Sequence, residues 1–145
     1  MTKEKLGKMN TTTLAYLGDA VFEVMVREKI VTDRPGDVDR AHHTAVRYVS
    51  AAGQAKAAKA MVASGFLTAE ETAVYKKGRN HRAMSRPQHA DPREYKIATG
   101  FEALLGWLYL SDERERLREI AAEAVRIVDS AERKAKIVNN KQAKQ

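Results

Sequence analysis

Two apolar runs of helical length, each with an acid set where core is expected, constrain this 145-residue chain more than any other feature. In residues 14–25, Leu-Ala-Tyr-Leu-Gly-Asp-Ala-Val-Phe-Glu-Val-Met, Asp19 is flanked by apolar side chains on nearly every side. In residues 101–110, Phe-Glu-Ala-Leu-Leu-Gly-Trp-Leu-Tyr-Leu, Glu102 is the only charge. A helix that is apolar nearly all round packs inside a fold. An ionised carboxylate on such a helix is costly unless it is paired, hydrogen-bonded or holding a cation. The expectation is that both helices are central and that Asp19 and Glu102, distant in sequence, meet.

The rest of the chain reads as helices joined by short turns. Threonines 11–13 offer a cap for a first helix reaching about Ile30, with Leu14, Leu17, Val21, Val24 and Met25 at three- and four-residue steps and Tyr16 and Phe22 thickening the apolar face. After a turn at residues 32–36, Asp37 caps a helix over 38–49 that carries His42 and His43. Ser50 caps an alanine-rich helix ending at Gly65, and Thr68 with Glu71 forms a capping box for a helix ending near Gly78. Residues 77–91 lack apolar periodicity and read as an exposed loop. Asp91, Pro92 and Glu94 restart the chain into the helix bearing Glu102. Ser111 opens the last helix, striped by Leu117, Ile120, Ala124, Ile127 and Val128. No segment alternates as a strand does. The expected fold is all-α, one domain of six or seven helices over residues 1–136, followed by a basic, polar, frayed tail over 137–145.

Composition narrows the chemistry. With no cysteine there are no disulfides or thiolate sites, and no apolar run approaches the ~18 residues of a membrane span. The expected setting is a soluble protein of the cytoplasm. A net charge of +7 favours a polyanionic partner, since each phosphate neutralised by lysine or arginine releases counterions. Much of that charge is concentrated: residues 76–96 hold Lys76, Lys77, Arg79, Arg82, Arg86, Arg93 and Lys96 against Asp91 and Glu94. Guanidinium forks suit phosphate geometry, although such a stretch can equally be a solvated loop.

Two carboxylates on facing helices suit a hard cation, Mg²⁺ or Mn²⁺, which takes one or two carboxylates and fills its remaining positions with water and phosphate oxygens. The plainer alternatives are that each acid pairs with one of the many cations, or that Asp19 sits at a wet rim. Glu23, one turn after Asp19, either assists it or pairs with Arg27. His42, His43, His81 and His89 make no metal-binding pattern, and there is no glycine-rich phosphate loop.

Residues 16–22, Tyr-Leu-Gly-Asp-Ala-Val-Phe, resemble the signature of the ribonuclease III family, and residues 101–110 resemble that family's second acidic helix. With Tyr48-Val-Ser-Ala, with Lys77-Gly-Arg-Asn80, and with no appended double-stranded-RNA-binding domain, the similarity is to the reduced branch, Mini-ribonuclease III, over about residues 9–130. The resemblance implies an all-helical homodimer that cuts double-stranded RNA with Mg²⁺, Mn²⁺ being able to substitute. It also implies 5′-phosphate and 3′-hydroxyl ends, and action on 23S ribosomal RNA precursor stems helped by a large-subunit ribosomal protein. Carried over by position, Asp19 and Glu102 are the catalytic, metal-holding acids, while Arg79, Asn80 and the neighbouring Lys76, Lys77, Arg82 and Arg86 contact RNA. Two further acids of the classical enzymes are replaced here by Ala15 and Thr99. The competing reading is a non-catalytic RNA-binding helical module.

Overall fold

The structure, a computed structural model, describes residues 1–81 and 89–144. Among them lie seven helices and no strand: α1 (Lys3–Gly7), α2 (Thr11–Asp33), α3 (Val38–Val49), α4 (Ala51–Ser64), α5 (Ala69–Asn80), α6 (Pro92–Leu110) and α7 (Arg114–Ala143). The all-α expectation therefore holds, with a short α1 that the sequence reading did not separate.

Local chemistry sets most boundaries. The Asp37 side chain accepts from the amide of Asp39 to start α3, and the Ser50 hydroxyl accepts from Gly53 to start α4. α4 stops at Gly65, whose φ of 73° is the left-handed conformation glycine adopts without strain. Thr68 and Glu71 close the reciprocal capping box of α5. Three boundaries differ from the sequence reading. Asn10, rather than a threonine, caps α2. Ser111 closes α6 by donating its hydroxyl to the Trp107 carbonyl at 2.8 Å instead of opening α7. α7 runs on through Ala143 because nothing after residue 113 is glycine or proline and the segment is rich in alanine, lysine and glutamine, all good helix formers.

The core is built around α6. Phe101, Ala103, Leu104, Leu105 and Leu108 are buried, and helices α2, α4, α5 and α7 pack about them. Phe22 of α2 meets Phe101 edge-on, with ring centroids 5.3 Å apart. α2 itself is two-faced. Leu14, Ala15, Val21, Phe22 and Val26 are buried, whereas Tyr16 is 86% and Val24 63% exposed. The expectation that Tyr16 and Val24 join the core is thus corrected: α2 is apolar on more sides than one chain can cover.

A buried ion pair fastens the far end of the molecule. Glu71 is 4% exposed, and Arg116 of α7 holds it with Nε at 2.9 Å and NH2 at 2.9 Å while also donating to the Phe66 carbonyl at 2.6 Å. Burial raises the Glu71 carboxyl, but hydrogen bonds from Arg116 and Thr68 outweigh it and hold the group below its usual range. Arg116→Met would leave that carboxylate buried without a counter-charge, and chemical denaturation should show a loss of about 3 kcal/mol. Because the folded-state value is depressed, the pair's contribution is present above the ordinary glutamate range. It should fade as pH falls through the folded value, a slope absent from the variant.

Candidate active site

Three glycine contacts determine where the acids stand. A methyl group at Gly18 would overlap the Glu102 carbonyl and lie 2.9 Å from the Gly106 amide nitrogen. One at Gly106 would overlap the backbone of Leu14. Backbone thus meets backbone where α2 crosses α6, which only residues without a β-carbon permit. Asp19 follows Gly18 directly, so the crossing brings it to Glu102. The charge of Asp19 acts on Glu102 strongly enough to be the second-largest influence on its protonation.

The two acids are not equivalent. Asp19 is exposed and Glu102 half-buried, which corrects the reading of Asp19 as a core charge. The cost of burial falls mainly on Glu102, whose carboxyl is pushed up to about 8, first by desolvation and then by Asp19. The nearby Gln54 amide works in the opposite direction. Asp19 is raised more modestly, by partial desolvation and then by Glu23. Glu23 itself is held by Arg27 at 3.0 Å, the plainer of its two readings. Neither Asp19 nor Glu102 forms an ion pair among the described residues.

Two carboxyl groups held close without a counter-ion, in a chain of net charge +7, one kept protonated by burial and by the other's charge, fit a divalent cation that would displace that proton, and carboxylate oxygens are the hard donors Mg²⁺ or Mn²⁺ prefers. The donor set is sparse. Among the described residues no group of three or more His, Cys, Asp or Glu side chains is placed to hold a metal. Ala15 is buried, and Thr99 donates its hydroxyl to the Tyr95 carbonyl at 2.9 Å, so neither position supplies a further carboxylate.

The basic group is more ordered than the sequence suggests. Lys76, Lys77, Arg79 and Asn80 belong to the last two turns of α5 rather than to a loop. The reason is tertiary: a methyl at Gly100 would lie 2.6 Å from the Tyr75 carbonyl and 2.9 Å from the Arg79 amide nitrogen, so the end of α5 is pressed onto α6 two residues before Glu102. Arg79 donates to Asn80 at 3.1 Å and lies over the Tyr75 ring at 5.5 Å. Lys77 reaches the Gly7 carbonyl at 3.4 Å, and Lys76 is exposed with no acidic partner among the described residues. Arg82 and Arg86 lie outside the described residues.

Gln54 of α4 is the site residue that sequence reasoning missed. It is 1% exposed and lies on α4 near enough to Glu102 to favour that carboxyl's charged form. The one available signal is its place as the lone neutral polar side chain within an otherwise alanine- and lysine-rich helix interior.

The chain that builds this helical domain belongs to the ribonuclease III family: the ribonuclease III domain matches residues 12–113. Mini-ribonuclease 3 proteins are among its relatives. That of Enterococcus faecalis is 41% identical over 113 residues, covering 78% of this chain and 86% of the relative. That of Symbiobacterium thermophilum is 42% identical over 117 residues, covering 81% and 88%, and that of a Thermoanaerobacter species 37% identical over 129 residues, covering 89% of each. A crystal structure of a Fusobacterium nucleatum protein shares the fold, with a TM-score of 0.72, 24% identity, and coverage of 82% of this chain and 93% of that one.

Proposed function

We propose that this chain is a divalent-metal-dependent endoribonuclease that cuts double-stranded RNA, with Asp19 and Glu102 holding the ion. The observation that carries the reading is the uncompensated carboxylate pair at the α2–α6 crossing, set beside the cationic end of α5. A bound Mg²⁺ would activate water and neutralise charge building on the phosphodiester. The chain's own residues do the rest. Glu102, seated on the most buried helix, and the exposed Asp19 would hold the ion, and Lys76 and Arg79 would draw phosphates towards them. Neither acid lines the two grooves of about 600 and 570 Å³ elsewhere on the surface. Such an open site suits a duplex, read across its wide minor groove by shape, phosphates and 2′-hydroxyls, better than a small nucleotide.

On the resemblance, the finer reading is a cytoplasmic homodimer that trims 23S ribosomal RNA precursor stems to 5′-phosphate and 3′-hydroxyl ends, assisted by a large-subunit ribosomal protein. Exposure of Tyr16 and Val24 on the outer side of α2 supports the pairing of two copies there. Tyr16→Asp should convert a species of twice the chain mass in sedimentation into one of 16.2 kDa; an unaltered mass would place the interface elsewhere. The deciding test of the activity is incubation of the purified protein with a perfect RNA duplex. Cleavage in Mg²⁺ and none in chelator is expected, whereas binding without cleavage in any divalent ion would favour the RNA-binding module. Lys76→Ala and Arg79→Ala should each weaken duplex binding and flatten its salt dependence by about one unit of slope.

A further inference from the structure

We propose that Gln54 is a positioning residue of the carboxylate site, its amide bracing Glu102 from α4 while Asp19 approaches from α2. The inference rests on the metal-binding reading of Asp19 and Glu102. Gln54 is 1% exposed, yet its side chain is only partly satisfied. Nε2 donates to the Val49 carbonyl at 2.9 Å, a bond that fixes the orientation of the amide because a carbonyl can only accept. The NH₂ group has a second hydrogen, and the side chain lies near enough to Glu102 to favour that carboxyl's charged form. Oε1, by contrast, has no partner among the described residues. A buried acceptor left unpaired costs about 1–3 kcal/mol, so an apolar side chain of the same size would serve packing better. The amide is explained by what it does for Glu102, and the orphaned carbonyl is an acceptor for a water entering the site.

The support for Gln54 is rigid. The Ser50 hydroxyl accepts from the Gly53 amide at 3.2 Å, and a methyl at Gly53 would lie 2.8 Å from the Tyr48 carbonyl. The first turn of α4 is therefore pressed onto the end of α3. That corner is tied to α7 in turn, with the Tyr48 hydroxyl donating to Asp129 at 2.5 Å and Arg47 to Glu132 at 2.7 Å. Outer groups that orient a metal-holding side chain typically contribute 10- to 100-fold to affinity or rate.

The test measures Mn²⁺ binding to the full chain without RNA, by the loss of the free-ion electron paramagnetic resonance signal, for the wild type, Gln54→Met, Gln54→Asn and Asp19→Asn. Gln54→Met keeps the volume and removes the amide. Gln54→Asn keeps an amide but withdraws it by one methylene, and serves if the methionine variant does not fold. Binding at least tenfold weaker in either folded glutamine variant, with cleavage restored by raised Mg²⁺ and an unchanged KM for duplex RNA, is the expected result. Wild-type Mn²⁺ affinity in a folded variant would overturn the proposal, as would failure of both variants to fold, which would make Gln54 a packing residue. Asp19→Asn keeps the two ideas apart. If it binds Mn²⁺ like the wild type, the metal-site reading fails; if it alone loses Mn²⁺, only the role of Gln54 does.

Discussion

Glu102→Gln is expected to abolish cleavage while making the metal-free protein more stable. On the proposed function the change removes one of the two groups that would hold the ion, and a fall of about 10³-fold or more in single-turnover rate should follow, in line with the effect of deleting one electrostatic group from a catalytic centre. The stability change has the opposite sign. The unfolded chain releases the Glu102 proton in the ordinary glutamate range, whereas the folded chain retains it to about 8. Between those values the unfolded state binds fewer protons, so this group makes stability fall as pH rises. Glutamine carries no such penalty. At pH 5 the two proteins should melt together, and at pH 8 without metal the variant should be more stable by roughly 2 kcal/mol, a value reduced from the full linkage because the side chain is only half-buried. Thermal melts across that range check it. A variant that cuts normally, or one destabilised at pH 8, would contradict the assignment.

Gly18→Ala should be the most damaging single methyl group in the chain. The added carbon would overlap the Glu102 carbonyl and crowd the Gly106 amide. Both are backbone groups, so no side chain can swing aside to relieve the clash; α2 and α6 would have to separate. Overpacking a core commonly costs about 1–3 kcal/mol, and this contact belongs at or above the top of that range. Denaturant unfolding should show the loss, and cleavage should fall with it because the same separation parts Asp19 from Glu102. Gly7→Ala, where a methyl would meet nothing within 4 Å, is the matched control and should leave both unchanged.

What could be read from the residues was local chemistry. The Asp37, Ser50 and Thr68–Glu71 caps and the Gly65 stop are short-range signals, and they fall where they were expected. The errors are tertiary. Lys76 to Asn80 lack apolar periodicity, yet they remain helical because Gly78 and Gly100 let α5 lie directly on α6. The apolar pattern of α2 reads as core throughout, but Tyr16 and Val24 are exposed among the described residues. That same pattern made Asp19 look buried, when the side of α2 it occupies is open. The convergence of Asp19 on Glu102 was inferable because two helices of that apolarity have to pack on each other. Gln54 was not, since a single glutamine in an alanine-rich helix carries no periodicity that separates it from a solvated one.

The most direct measurement is a double-mutant cycle in duplex cleavage with Asp19→Asn, Glu102→Gln and the pair combined, each shown to fold by circular dichroism. If both side chains serve one ion, either single change removes the site, and the double variant should be no slower than the slower single one. Losses that multiply, or a single variant that still cuts RNA at the wild-type rate, would show that the two acids act separately and that the α2–α6 crossing is not the cutting centre.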